Sequence, residues 1–263
     1  MIDSHCHFDF APFSEDPAHY LALARQAGVN KLVIPAVGVR NWQAVRQLAT
    51  EQDGVYFALG LHPFFSADHT VAAEQQLEAE LEAESLLRAK NRSHCVAVGE
   101  CGLDFAIAEV DRDQQLTLLS SQLRLANHYG LPVILHCRKA YPELLRLLKQ
   151  IPPVAGGVYH AFSGSLEQAR QMIDLGLKIG VGGTITYERA KKTRAAIAQL
   201  PLSALLLETD APDMPVAGFQ GQPNRPDRLV AVMDALVTLR SEPREEIEKV
   251  ITLTTAELFH IPH

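Results

Sequence analysis

Ile2-Asp3-Ser4-His5-Cys6-His7 opens the chain with a short β-prone run that ends in two histidines two residues apart. On a strand, residues i and i+2 face the same way, so both imidazoles can reach one metal ion. Four later apolar runs end in the same kinds of side chain. They close in Gly99-Glu100-Cys101-Gly102, Leu135-His136-Cys137-Arg138, Tyr159-His160-Ala161-Phe162-Ser163-Gly164 and Leu207-Glu208-Thr209-Asp210-Ala211-Pro212. A single histidine at a strand end is more often a hydrogen-bonded structural residue than a ligand. Five strand ends that all supply His, Glu or Asp read together as a metal site. Four histidines and two carboxylates exceed one tetrahedral shell, which points to two divalent ions sharing a carboxylate.

Working outward, eight β-rich runs cover residues 2–7, 31–37, 55–62, 95–99, 132–136, 157–161, 177–181 and 205–208. Several are continuously apolar, as buried parallel strands are. Helical patterns alternate with them at 18–26, 43–51, 71–90, 114–129, 143–148, 166–175 and 189–199, and two more follow at 226–240 and 243–259. This alternation predicts an α/β fold: a (β/α)8 TIM-type barrel with extra C-terminal helices, one domain over residues 1–263. A doubly wound open sheet is the alternative, but no glycine-rich phosphate fingerprint follows the first run. In a barrel the C-terminal strand ends converge on one mouth, where active sites are built.

The 263 residues match the ~250 typical of one such barrel. Apolar residues make up 47% and the net charge is −7, which excludes a disordered chain. No apolar run approaches the ~18 residues of a membrane span, and the sequence begins without a basic, apolar targeting segment, so a cytoplasmic protein with no membrane partner is expected. No obligate protein partner is evident. The acidic balance argues against non-specific coating of duplex nucleic acid. It leaves room for a local phosphate site. Gly180-Val181-Gly182-Gly183-Thr184 would let backbone N–H groups approach a phosphate, and Arg189, Lys191, Lys192 and Arg194 follow closely. A solvated helix face is the plainer reading of those cations singly. Glu74, Glu78, Glu80, Glu82 and Glu84 read as a solvated helix face. Strand alternation turns Cys6, Cys101 and Cys137 away from the metal and into packing. His62 reads equally as a structural strand-end residue or as a mouth residue contacting substrate. His19, His69, His94, His128, His260 and His263 read as peripheral and solvated.

Seven ordered blocks carry a family resemblance: Ile2–His7, Gly60-Leu61-His62-Pro63, Val98–Asp104, Leu131–His136, His160–Gly164, Leu207–Pro212 and Pro223-Asn224-Arg225-Pro226. The chain resembles the TatD family of metal-dependent hydrolases, within the amidohydrolase-like superfamily, and most nearly its YjjV-type branch. The resemblance implies one metal on His5, His7 and Asp210, a second on His136 and His160, and Glu100 bridging them. Zinc, magnesium and manganese all suit this donor set. Two positions depart from the pattern. Phe64 stands where members often carry a second histidine, and Phe105-Ala106-Ile107-Ala108-Glu109 stands where Tyr-Tyr-Arg-like residues often occur.

The expected activity is hydrolysis by a metal-activated water. Asp210 is the expected proton acceptor, and Glu208 orients the site from the same strand face. The resemblance points to phosphodiester bonds, as in a 3′-exonuclease-like deoxyribonuclease acting on single strands or 3′ ends, or to a small phosphorylated substrate. His62, Arg138, Ser163, Asn224 and Arg225 are the expected substrate contacts. The same chemistry would serve a small amide, lactone or amino-acyl ester. A non-enzymatic, metal-stabilised binding protein is the third alternative.

Overall fold

The computed structural model describes residues 1–107 and 111–262. Ala108 and Glu109 of the 105–113 loop, and His263, lie outside the described residues. The strands are β1 (Ile2–Asp3), β2 (Lys31–Pro35), β3 (Val55–Leu59), β4 (Cys95–Asp104), β5 (Val133–Arg138), β6 (Gly157–Tyr159), β7 (Leu177–Val181) and β8 (Leu205–Leu207). The helices that alternate with them are α1 (Pro17–Gln26), α2 (Val39–Glu51), α3 (Val71–Arg88), α4 (Arg112–Tyr129), α5 (Tyr141–Gln150), α6 (Leu166–Asp174) and α7 (Lys191–Ile197). Helices α8 (Leu229–Leu239) and α9 (Arg244–Phe259) follow β8. The strands form one eight-stranded sheet in chain order, which is the predicted (β/α)8 fold. None of the helices described is long and apolar enough to cross a membrane.

Contacts gather the chain into two compact units, residues 1–34 with 160–263, and residues 35–159. In the first, β1 pairs with β2 and β7 with β8, all parallel. The chain ends meet there: Ser4 N–H donates to the Leu207 carbonyl at 2.9 Å, and Cys6 bridges to Ala211. The three leucines of β8 are buried on both faces, as expected of a parallel strand covered by helices. Ser165 and Gln168 form a reciprocal capping box that starts α6.

In the second unit β4 pairs with β3 and β5, and β5 with β6. The sequence reading ends the fourth run at Gly99. The strand instead continues to Asp104, and its register against β5 shifts between Val98 and Cys101. This irregularity turns Glu100 out of the regular ladder, as bulges do beside functional sites. Gly102 has φ 149°, and a Cβ there would lie 2.0 Å from the His136 carbonyl oxygen. Only glycine allows β4 and β5 to approach so closely. The first and third runs, by contrast, stop at Asp3 and Leu59. The histidines predicted at their ends lie just past the ladder, where the backbone is no longer bound to strand geometry.

Two glutamines on α4 complete that backbone. Gln122 accepts from Leu61 N–H at 2.8 Å and donates to the Leu61 carbonyl at 3.1 Å. Gln115 does the same for Asp104, at 2.7 and 2.9 Å. Both side chains are buried, so each amide replaces a missing strand partner. Gln115→Leu removes both bonds at nearly constant volume and leaves a buried N–H and C=O unsatisfied. We expect it to lower the unfolding free energy by roughly 2–4 kcal/mol, read from urea midpoints, whereas exposed Gln114→Leu on the same helix changes it by less than about 0.5 kcal/mol.

Candidate functional site

His5 and His7 follow β1, and Asp210 follows β8. His5 Nε2 stands 3.3 Å from His7 Nε2 and 3.4 Å from Asp210 Oδ1, and His7 Nε2 is 3.7 Å from the same oxygen. An ion with four tetrahedral bonds of about 2.1 Å has ligand–ligand edges of about 3.4 Å. The three atoms therefore match one face of such a shell. Asp210 has φ 55°, a left-handed conformation that aspartate tolerates. Its N–H donates to the His5 carbonyl at 2.9 Å.

Asp3 sets this geometry from behind. Its carboxylate accepts from Thr209 N–H at 3.0 Å, Thr209 Oγ1 at 2.6 Å and His5 N–H at 3.3 Å. Burial pushes its pKa up to about 7, although the Thr209 and His5 hydrogen bonds favour the charged form.

His160 and Glu208 adjoin the same group. His5, His160 and Glu208 each bring a ligand atom within 4.8 Å of the others. The His5 and His160 rings stack at 4.0 Å. Glu208 Oε1 accepts the Ala161 N–H, and its other oxygen is buried without a hydrogen-bond partner among the described residues. A Cβ on Gly180 would lie 2.4 Å from that oxygen, so the glycine makes the space for the carboxylate. Burial raises Glu208 to about 8, against the opposing pull of His160 and the Ala161 N–H. A buried carboxylate oxygen lacking a donor, among imidazole nitrogens, fits a cation.

His62, Glu100 and His136 form the cluster of the second unit. Glu100 Oε1 lies 3.1 Å from His62 Nε2 and 3.2 Å from His136 Nδ1. His136 Nε2 lies 3.2 Å from Asp104 Oδ2. A proton on Nε2 given to Asp104 leaves Nδ1 as the ligating atom, the arrangement by which carboxylates orient metal-bound histidines. Burial disfavours charge on His136, but the hydrogen bonds to Asp104 and Glu100 outweigh it and raise its pKa to about 9. His62 differs. Its Nδ1 accepts the Phe64 N–H at 3.0 Å, so the hydrogen-bond network puts its proton on Nε2, where it donates to Glu100. A nitrogen carrying that proton cannot ligate. The geometry makes His62 a positioning residue for Glu100.

The expected substrate contacts are placed unequally. Arg138 and Ser163 are exposed, and Arg138 reaches to 3.9 Å from Asp104. Arg225 is held by Asp227 through two bonds of 3.0 and 2.7 Å. Asn224 corrects the sequence reading: it is fully buried, and its amide donates to the Thr209 and Met214 carbonyls at 2.8 and 3.2 Å. It braces the loop that carries Asp210 instead of facing outward. His69, expected to be solvated, is buried with Nε2 2.8 Å from the His62 carbonyl oxygen. Glu84 is also buried, paired with Arg46 at 2.9 Å. Lys191 and Lys192 are exposed, while Arg194 turns inward to the Ile185 carbonyl. Among the described residues no cysteine belongs to a candidate metal cluster. Cys6 and Cys101 face the Ala211 and Ile134 carbonyls, and burial raises both thiols, which disfavours the ligating thiolate. Sequence reading missed Asp3, Asp104, Gln115 and Gln122. The available signal was a polar side chain of hydrogen-bonding type on an otherwise apolar face, which reads equally as solvated surface.

A family model described as TatD related DNase matches residues 2–260. The uncharacterized metal-dependent hydrolase YjjV of Escherichia coli K12 is 49% identical over 262 residues, covering 100% of this chain and 98% of that protein. The 3′-5′ ssDNA/RNA exonuclease TatD of Klebsiella pneumoniae is 30% identical over 267 residues, covering 99% and 98%. The crystal structure of the Escherichia coli YjjV protein superposes with a TM-score of 0.94 at 48% identity, covering 100% of this chain and 98% of that one.

These protonation equilibria set a pH dependence. In the metal-free protein Asp3 rises from 3.8 to about 7, Glu208 from 4.5 to about 8 and His136 from 6.5 to about 9. Each folded-state group holds its proton more tightly than the unfolded chain does. Its stabilisation is complete below the unfolded value and is lost as pH rises through the folded one. Of these groups His136 is a candidate ligand and must give up a proton to bind, so metal binding strengthens over that window. Thermal unfolding of chelator-treated protein should therefore fall in midpoint from about pH 5 to about pH 8.5, while the gap to metal-supplemented protein widens. Parallel curves would contradict the assignment.

Proposed function

Because this chain belongs to the TatD-related DNase family and is a metal-dependent hydrolase, we propose that it cleaves phosphodiester bonds at the 3′ end of single-stranded nucleic acid, using two divalent ions. The observation that carries the metal reading is the face formed by His5 Nε2, His7 Nε2 and Asp210 Oδ1, with edges of 3.3, 3.4 and 3.7 Å. His136 and Glu100 are the residues for a second ion, and His160 completes the ligand set. The name of the Klebsiella pneumoniae relative supports the substrate class.

Bound divalent ions supply Lewis acidity, which acidifies the attacking water and offsets charge on the phosphoryl oxygens. The chain's own residues do the rest. Asp210 turns Oδ1 to the two imidazoles, and we assign Oδ2 to the water proton. Asn224 fixes the loop bearing it. Glu208 acts as a positioning residue: it holds the Ala161 N–H and so sets His160. Asp104 and His62 orient His136 and Glu100. Arg189 lines a cavity of about 240 Å³ with Gly183, Thr184, Tyr187 and Met214, and has no carboxylate partner among the described residues. That is a suitable seat for a phosphate of the strand, and Lys191 and Lys192 extend the positive field.

Asp210→Asn is the decisive variant. It keeps the shape of the side chain but is a far weaker base. We expect turnover on a single-stranded oligonucleotide to fall by about 10²-fold or more, with the binding constant for that strand little changed and metal content followed by elemental analysis. Full metal with near-normal turnover would move the proton to Glu208. Hydrolysis of small amides or esters without hydrolysis of any phosphodiester would overturn the substrate class. In the same assay His136→Ala should lose metal while His62→Ala retains it, since the His62 proton sits on the nitrogen that faces Glu100.

A further inference from the structure

Phe64 is 57% exposed, a large apolar ring left in water beside a candidate metal cluster. It lies in the 3-10 turn Pro63–Asp68, and its N–H is tied to His62 Nδ1 at 3.0 Å. His62 in turn reaches Glu100 at 3.1 Å, so the main chain at Phe64 is held in register with the cluster. Phe65 stands edge-on to Phe64, with ring centroids 5.0 Å apart, and tilted 6.0 Å from the His62 ring. The Arg40 guanidinium lies 3.6 Å over the Phe65 ring, and Arg40 joins no ion pair among the described residues. Arg40 and Phe65, with Gly38, Val39 and His69, line a cavity of about 260 Å³ walled mainly by carbon.

Each part has a plain chemical preference. An exposed aromatic face takes a flat ring, because every base has a π-face and stacking tolerates any sequence. A guanidinium already stacked on an aromatic ring is desolvated on that side and offers its remaining donors to an anion. A flat apolar surface and a cation with no ion-pair partner among the described residues together fit a planar ring that carries a phosphate. An aliphatic acyl group would use neither the ring face nor the cation.

We infer that Phe64, Phe65 and Arg40 form a stacking platform that grips a nucleobase next to the scissile phosphate, beside the His62–Glu100–His136 cluster. This rests on the phosphodiester reading and names the part of the substrate that is held. Phe64 offers no hydrogen-bonding group to a base. The platform therefore grips all four bases alike and imposes no sequence preference.

Two measurements test it. Trp42 is the sole tryptophan and is buried at 2% exposure, so Phe64→Trp adds one exposed fluorophore to a constant background. The metal-loaded variant is titrated with a hydrolysis-resistant phosphorothioate tetranucleotide and with its abasic counterpart. Saturable quenching by the first, at concentrations where the second has no effect, is expected, and Arg40→Ala in the same background should weaken it. Equal responses, or none, overturn the platform. In turnover, wild type should favour a 3′-terminal nucleotide over a 3′-terminal abasic residue by about tenfold or more in kcat/KM. In Phe64→Ala that ratio should fall toward one, with circular dichroism unchanged. An unchanged ratio also overturns it. If wild type cleaves neither strand, the phosphodiester reading fails by itself and the fluorescence titration still decides the platform.

Discussion

The carboxylate of Asp3 holds the ends of β1 and β8 in one place. It binds both polar hydrogens of Thr209 and the N–H of His5, so it fixes one metal-ligating candidate, His5, and the immediate neighbour of another, Asp210. Buried completely, it has no water to exchange these bonds with, so the geometry is set by three direct contacts. The spacing of His5, His7 and Asp210 follows from that clamp.

The same device recurs wherever the ladder stops. Gln115 and Gln122 complete the backbone at Asp104 and Leu61, Asn224 completes it at Thr209 and Met214, and Asp104 orients His136. Strand ends must leave regular pairing if their side chains are to point at a common ligand. Each departure exposes backbone donors and acceptors that would be costly to bury alone. Side-chain amides and carboxylates meet that need, so the polar residues behind the site are as much a part of it as the histidines in front.

This division explains what could be read from the amino-acid order. The eight runs and intervening helices were legible because hydrophobic period is a local property, and His5, His7, Glu100, His136, His160 and Asp210 stood out because each interrupts an apolar run at its end. The strand limits were less legible. Glu100 sits inside β4 because Gly99 and Gly102 let the strand pass through an irregularity and continue, a consequence of how closely β5 packs and not of local propensity. Asn224 reads as a substrate contact because it falls in the Pro223-Asn224-Arg225-Pro226 block that carries the family resemblance. Its burial depends on the turn after Asp210 folding back over it. Gln115 and Gln122 were silent for a similar reason: glutamine on a helix is ordinary on a solvated face, and only the tertiary fold shows that these two point inward.

The junction between β1 and β8 joins positions that lie far apart along the polymer; Asp3 and Thr209 are 206 residues apart. Any ion shared by His5, His7 and Asp210 would act as a removable cross-link closing a loop of about that length. In the chain-entropy picture, closing so long a loop reduces the freedom of the unfolded chain by an amount equivalent to about 5 kcal/mol at room temperature. These candidate ligands would thus also act as a topological fastener, joining the segment after the first strand to the segment after the last.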